Sequence, residues 1–284
     1  MRSSNPVMNS LGNTATQQPQ QGNPYAQGAQ GYPGAQGYPG AQGGYQAPFN
    51  GQAGAGERPM TIDDVVSKTG IVLAVIVVLA AVNFYLGLSN PGLSMLLTIV
   101  GAIGGFVTVL ISSFGKKYGS AAVTLIYAVF EGLFVGGFSF MFADVQIAGS
   151  NGFALIGQAI LATIGVFLGM LFVYKTGAIR VTPKFTRILV GAIFGVLVLA
   201  IGNLLLALFT GMNPLRDGGM IAIIFSLVCI ALAAMSFLLD FDTADRLIRQ
   251  GASSKYAWGV ALGLAVTLVW LYTEILRLLS YFRD

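Results

Sequence analysis

Long apolar runs separated by short polar breaks dominate the chain beyond residue 58. Five of them cover 69–88, 95–114, 121–143, 153–174 and 188–210. A sixth, from 221, ends at Asp240, and a seventh lies within 256–281. Each is close to the ~20 residues a helix needs to cross hydrocarbon. Strands of a membrane barrel would be about half as long and would alternate in polarity. The pattern therefore predicts an all-α membrane protein, a bundle of seven transmembrane helices. Local chemistry marks its joints. Thr61 followed by Asp63 and Asp64 reads as a helix cap with acids in the first turn. Ser89-Asn90-Pro91-Gly92 reads as a tight turn, and Asn83 alone interrupts the first run.

Residues 1–58 are a different material, rich in Gln, Gly, Pro, Ala, Asn and Tyr, with GAQGYP at 28–33 and again at 34–39. So few aliphatic side chains cannot drive burial, which predicts a disordered N-terminal tail on the cytoplasmic side. No apolar h-region is present in it, so it does not read as a signal peptide. The division expected is a tail over 1–58 and a membrane domain over 59–284.

Composition supports the bilayer. The 284 residues are 55% hydrophobic and 9% charged, where soluble domains carry roughly 25% charged residues. The net charge of +4 sits on loop lysines and arginines, so it speaks of topology and not of nucleic acid. If the tail is inside, Arg58, Lys68, Lys116, Lys117, Lys175, Arg180, Lys184, Arg187, Arg246, Arg249 and Lys255 share the cytoplasmic side. Arg216 and Arg283 fall outside, with Arg277 near that end of the last helix. The positive-inside rule then predicts a cytoplasmic N-terminus and an external C-terminus. Histidine is absent and cysteine is single, which excludes His-dependent zinc sites, Ser-His catalysis and an internal disulfide. Cys229, in an apolar run, reads as a small hydrophobe.

Glycines recur four apart at Gly101/Gly105, Gly132/Gly136, Gly165/Gly169, Gly191/Gly195 and Gly259/Gly263. Such pairs let helices approach closely. Charge in apolar surroundings occurs in three places. Glu131 sits mid-run and reads either as a structural carboxyl or as a working one. Asp240 and Asp242 project about 200° apart on a helix, so at most one faces the bundle axis. Glu274 and Arg277 share a face at three residues' spacing, which fits a self-contained ion pair, a functional acid, or both.

Together MTIDDVVSKT and GIVLAVIVVLAA, then LIYAVFEGLFVGGFSFMF, LLDFDTADRLI and LVWLYTEILRLLSYF resemble the transmembrane Bax inhibitor motif family, in its bacterial Bax inhibitor-1-like branch. The resemblance covers about residues 60 to 284 and leaves out the tail. It implies a seven-helix bundle whose last helix is surrounded by the other six, and a pH-dependent calcium leak. It also implies a sensor of two carboxylates, here Asp242 and Glu274, with Asp240 as an extra acid able to substitute. Glu131 matches the family's acid in the third helix. The family latch has an arginine in its second helix. This chain has none there, so Lys116, Lys117 or Arg277 would replace it.

Two acids held close in a poorly hydrated site share one proton. Losing that proton adds repulsion and leaves oxygen ligands suited to a hard cation. The expectation is a proton-regulated calcium leak of a bacterial cytoplasmic membrane, not an enzyme and without a cofactor. Asp240, Asp242 and Glu274 would form its gate, with Asp242 and Glu274 as transient calcium contacts. A rival is a non-conducting factor that binds other membrane proteins, with the acids structural. A proton-coupled transporter also fits intramembrane acids. Oligomeric state is not encoded in any motif.

Overall fold

The computed structural model describes residues 57–115, 117–143 and 152–282; the tail up to residue 56, and Lys116, lie outside the described residues. Seven helices follow in order: α1 Ile62–Ser89, α2 Pro91–Phe114, α3 Ala121–Ala143, α4 Gly152–Thr176, α5 Pro183–Thr210, α6 Met220–Arg249 and α7 Ala257–Tyr281. All seven are long and apolar enough to cross a membrane. The protein is a multi-pass, all-α membrane protein.

The joints form where local chemistry places them. Thr61 caps α1 in a reciprocal box: its hydroxyl accepts the Asp64 amide at 3.3 Å, and the Asp64 carboxylate accepts the Thr61 amide at 3.0 Å. Asn90 ends α1 and caps α2, accepting the Leu93 amide at 3.1 Å, with Pro91 at the first helical position. Thr182 and Pro183 repeat that arrangement at the start of α5. One boundary differs from expectation. The sixth helix does not stop at Asp240 but continues to Arg249. Asp242 with Arg246, and Asp245 with Arg249 at 2.9 Å, are four apart on its polar extension and support another turn.

The last helix is the core. Of the most apolar stretch of α7, 78% of residues are buried, against 6% for α5. It packs chiefly against α1, α3, α4 and α6, and α5 leans on α6 alone in any extended way. The surrounding ring is therefore four helices and not six, because α5 is peripheral and α2 reaches the bundle through α1 and α3. Phe167 of α4 meets Phe237 and Phe241 of α6 at 5.3 and 5.6 Å between ring centroids, an aromatic seam beside α7.

Glycine pairs split into two kinds. A Cβ at Gly132 would lie 2.7 Å from the Ile76 carbonyl of α1, and one at Gly101 would lie 2.7 Å from the Phe134 amide of α3. The pairs α1–α3 and α2–α3 can touch backbone to backbone only because glycine stands there. Around Gly165, Gly169, Gly191 and Gly195 nothing lies within 4 Å of such a Cβ. Those four face outward from α4 and α5 and do not build the bundle.

The segment before α1 ties that end of the molecule together. Met60 donates its amide to the Ala252 carbonyl at 2.7 Å, and Ser254 donates to the Arg58 carbonyl at 3.0 Å. The start of α1 thus lies beside the α6–α7 junction, as does the α2–α3 connection that carries Tyr118.

Candidate functional site

Helix α7 serves as a ruler for the polar groups of the interior. Nearest the α6–α7 junction, Gly259 faces the ring of Tyr118; one turn on, Gly263 lies beside Asp240. A further turn on, the Thr267 hydroxyl donates to Asp240 Oδ2 at 2.7 Å. Tyr272 follows, with its hydroxyl 2.7 Å from that of Ser139 on α3. Last come Glu274 and Arg277, paired at 2.8 Å.

Asp240 stands at the wall of a cavity of about 320 Å³ between α2, α6 and the first half of α7. Ser112, Ser113, Thr243 and Thr267 supply further oxygens to its lining, and Val109, Leu262 and Val266 the apolar part. Among the described residues no lysine or arginine pairs with Asp240. A carboxylate half-buried beside a polar cavity, with a hydroxyl for its partner, can hold either a proton or a cation. Tyr118 closes the lining on the junction side. Burial, and then the neighbouring Asp240, push its phenol above the ordinary range, so the ring stays neutral.

Glu274 and Arg277 occupy a different depth. Thr267 and Glu274 are about 10 Å apart along the helix axis. Both members of the pair are buried, at 6% and 8% exposure, and Arg277 also lies 5.7 Å over the ring of Phe138. Glu274 Oε2 is buried with no hydrogen-bond partner. Such a pair is costly to break from one side, because the survivor is a lone charge in a dry place.

The structure does not bring Asp242 and Glu274 together. Asp242 turns away from the bundle axis, as a two-residue offset from Asp240 requires, and its carboxylate accepts from Arg246 of the same helix. Glu274 pairs through one oxygen with Arg277 of its own helix and sits at another level. A calcium contact shared by these two acids is therefore absent from this arrangement, and no group of three or more acid or cysteine side chains among the described residues could hold a metal ion. Of the candidate basic partners, Arg277 is engaged with Glu274, and Lys117 is exposed; Lys116 lies outside the described residues. Glu131 is half-buried on α3, with an oxygen against Gly105 of α2 and Tyr127 as its hydrogen-bond partner one turn away.

Sequence reasoning noticed Asn83 without giving it a role. Its amide donates to Thr98 Oγ1 at 3.2 Å and to the Leu133 carbonyl at 2.6 Å, joining α1, α2 and α3. It missed Tyr118 entirely. The available signal was an aromatic ring in a polar break, facing a helix whose first turns carry Gly259 and Gly263.

Comparison with known families agrees with the geometry. The sequence model of the family described as Bax inhibitor 1 like matches residues 5–284. The match extends through most of the Gln/Gly/Pro-rich tail, which the motif resemblance had left out. Among curated proteins, none matches the chain.

Proposed function

The chain belongs to the Bax inhibitor 1 like family, and on that premise we propose that it is a pH-regulated cation leak of a bacterial cytoplasmic membrane, with calcium as the permeant ion. Asp240 in its cavity carries this reading: a membrane-embedded carboxylate without a basic partner, facing hydroxyl oxygens, suits a hard cation or a proton. The two compete for the same oxygens. A proton on Asp240 removes the charge that attracts the ion, and its loss restores it, so flux rises with pH. Glu274 with Arg277 is the barrier of the other half, where Arg277 holds the Glu274 carboxylate in a buried ion pair and keeps it from a passing cation. Asp242 belongs to the cytoplasmic rim with Arg246. The basic residues at that end support an inward-facing N-terminus.

The test is calcium entry into liposomes carrying the purified protein at several pH values. Wild type should leak more as pH rises, Asp240→Asn should lose that response, and Asp242→Asn should keep it. A pH response unchanged by Asp240→Asn refutes the assignment. No flux at any pH refutes the leak.

The alternative is a non-conducting regulator that binds other membrane proteins, and α5 is the observation in its favour. That helix is apolar, exposed along most of its length, and carries Gly191 and Gly195 with nothing against them. Crosslinking from Val198 to a reproducible membrane partner, together with zero flux, would support it.

A further inference from the structure

Between α1 and α4 the wall around α7 has an opening. Both helices pack on α7, yet they make no extended contact with each other. They approach at one end, where the rings of Phe84 and Phe153 stand 5.5 Å apart between centroids. Beside that pair lies a hollow of about 460 Å³, within the size range of pockets that hold small molecules. Leu73, Ile76 and Ala80 line it from α1, Val135 and Gly136 from α3, and Ile156 from α4. Its floor is the core helix itself, at Leu268, Val269 and Tyr272. Val77, Ile160 and Ile164 also line it, and all three are exposed apolar side chains on membrane-spanning helices. The mouth of the hollow therefore faces hydrocarbon.

The few polar groups in the lining are already satisfied. The Tyr272 and Ser139 hydroxyls are 2.7 Å apart, and Thr163 donates to the Ala159 carbonyl at 2.7 Å. Nothing there recruits water or a charged ligand, and apolar cavities of this kind stay dry. Left unfilled, the hollow would forfeit dispersion contacts along its wall.

Depth selects the occupant. Leu73, Val135, Ile164 and Leu268 lie near the middles of α1, α3, α4 and α7, and on each helix the lining runs from there towards the α1–α2 end. From Leu73 to Phe84 is about 16 Å of helix, and one leaflet of a ~30 Å hydrocarbon core is about 15 Å deep. A helix of a second copy is about 10 Å across with its side chains, too broad to reach α7 between two helices that both pack on it. A site open sideways, apolar throughout and one leaflet deep fits a hydrocarbon chain.

We infer that the hollow binds one acyl chain of a membrane phospholipid from the leaflet at the α1–α2 end. The chain enters sideways beneath Phe84 and Phe153 and reaches the otherwise enclosed core helix at Leu268 and Tyr272. This site is separate from the Asp240 cavity, which lies in the junction half of the bundle, and it stands whether or not the protein conducts.

The test uses the full-length protein in liposomes containing a phosphatidylcholine with a diazirine midway along one acyl chain. After irradiation, adducts are mapped by mass spectrometry. They should fall on residues 268–272 of α7 as well as on the exposed face of α5 around Val198. Ala81 is exposed and lines the hollow, so Ala81→Phe puts a ring in the mouth and should abolish the α7 adducts while those on α5 persist. Val78 is exposed and outside the lining, so Val78→Phe should leave both sets unchanged. Ile160→Trp fills the mouth from α4 and should repeat the loss; it decides alone if Ala81→Phe fails to fold. An unlabelled α7 beside a labelled α5 in the wild type overturns the inference, whether the hollow is then empty or held by another copy. So does α7 labelling that neither mouth-filling variant reduces.

Discussion

Gly132 and Gly191 carry the same four-residue motif and should respond to alanine in opposite directions. At Gly132 the added methyl would meet Leu79 Cβ at 2.6 Å and the Ile76 carbonyl at 2.7 Å. Carbon contacts relax near 3.5 Å, so α1 and α3 must part by about 1 Å. Neither obstacle is the free end of a flexible side chain, so the strain spreads along the interface. Overpacking of this kind costs about 1–3 kcal/mol, and the better helix propensity of alanine offsets about 1 kcal/mol. The net for Gly132→Ala is a loss of up to about 2 kcal/mol. Around Gly191 no atom lies within 4 Å of the new methyl, which leaves the propensity gain of up to about 1 kcal/mol. The two variants should therefore differ by about 1–3 kcal/mol, the overpacking cost itself, in equilibrium unfolding in mixed micelles with increasing dodecyl sulfate. Equal shifts in the two would show that the α1–α3 approach is not limited by the glycine, and the close-contact argument would fail.

Two other expectations follow from buried polar groups. Arg277→Met leaves Glu274 charged and alone at 6% exposure, and removing one partner of a buried pair costs about 3–5 kcal/mol. Arg277→Met with Glu274→Gln should recover most of that loss, and a double variant as unstable as the single one refutes the pairing account. Asn83→Leu removes the bonds to Thr98 and Leu133; at about 0.6 kcal/mol per interhelical bond, and at most about 1.7 kcal/mol, the loss is roughly 1–2 kcal/mol. Thermal unfolding in detergent reads it, and an unchanged midpoint would mean that the cluster does not tie α1 to α2 and α3.

The fold was legible because span length is a one-dimensional quantity. Twenty-odd apolar residues between polar breaks must cross the bilayer, and the Thr61 and Asn90-Pro91 joints follow from local hydrogen bonding. The site was legible in part. Asp240 and Asp242 stand two apart, and the helical repeat alone separates their directions; which of them faces inward depends on α7. Motif alignment could pair Asp242 with Glu274, but it carries no depth. The structure separates them because α6 and α7 run antiparallel through a short junction, so the residue level with Asp240 is Thr267. The own-helix arginines at four and three residues' distance then take both acids. The end of α6 was misplaced for a related reason: Asp240 marks where hydropathy stops, not where helical hydrogen bonding does. The glycine pairs look alike in sequence and differ only in what stands opposite, and Tyr118 gains its meaning from a glycine far along the chain.

The most enclosed helix is also the latest of the seven to leave the ribosome. Chains fold from the N-terminus as they are made, yet α1, α3, α4 and α6 have their inward faces built around a helix that does not exist while they are being inserted. Until α7 arrives, those faces have only lipid or one another to contact, and Asn83 and its neighbours can hold together no more than α1 to α3. Assembly is thus withheld until α7 has been made. Ribosomes stalled after Arg249 should display six inserted helices that remain open to proteolysis, and extension through Tyr281 should convert them to the resistant form.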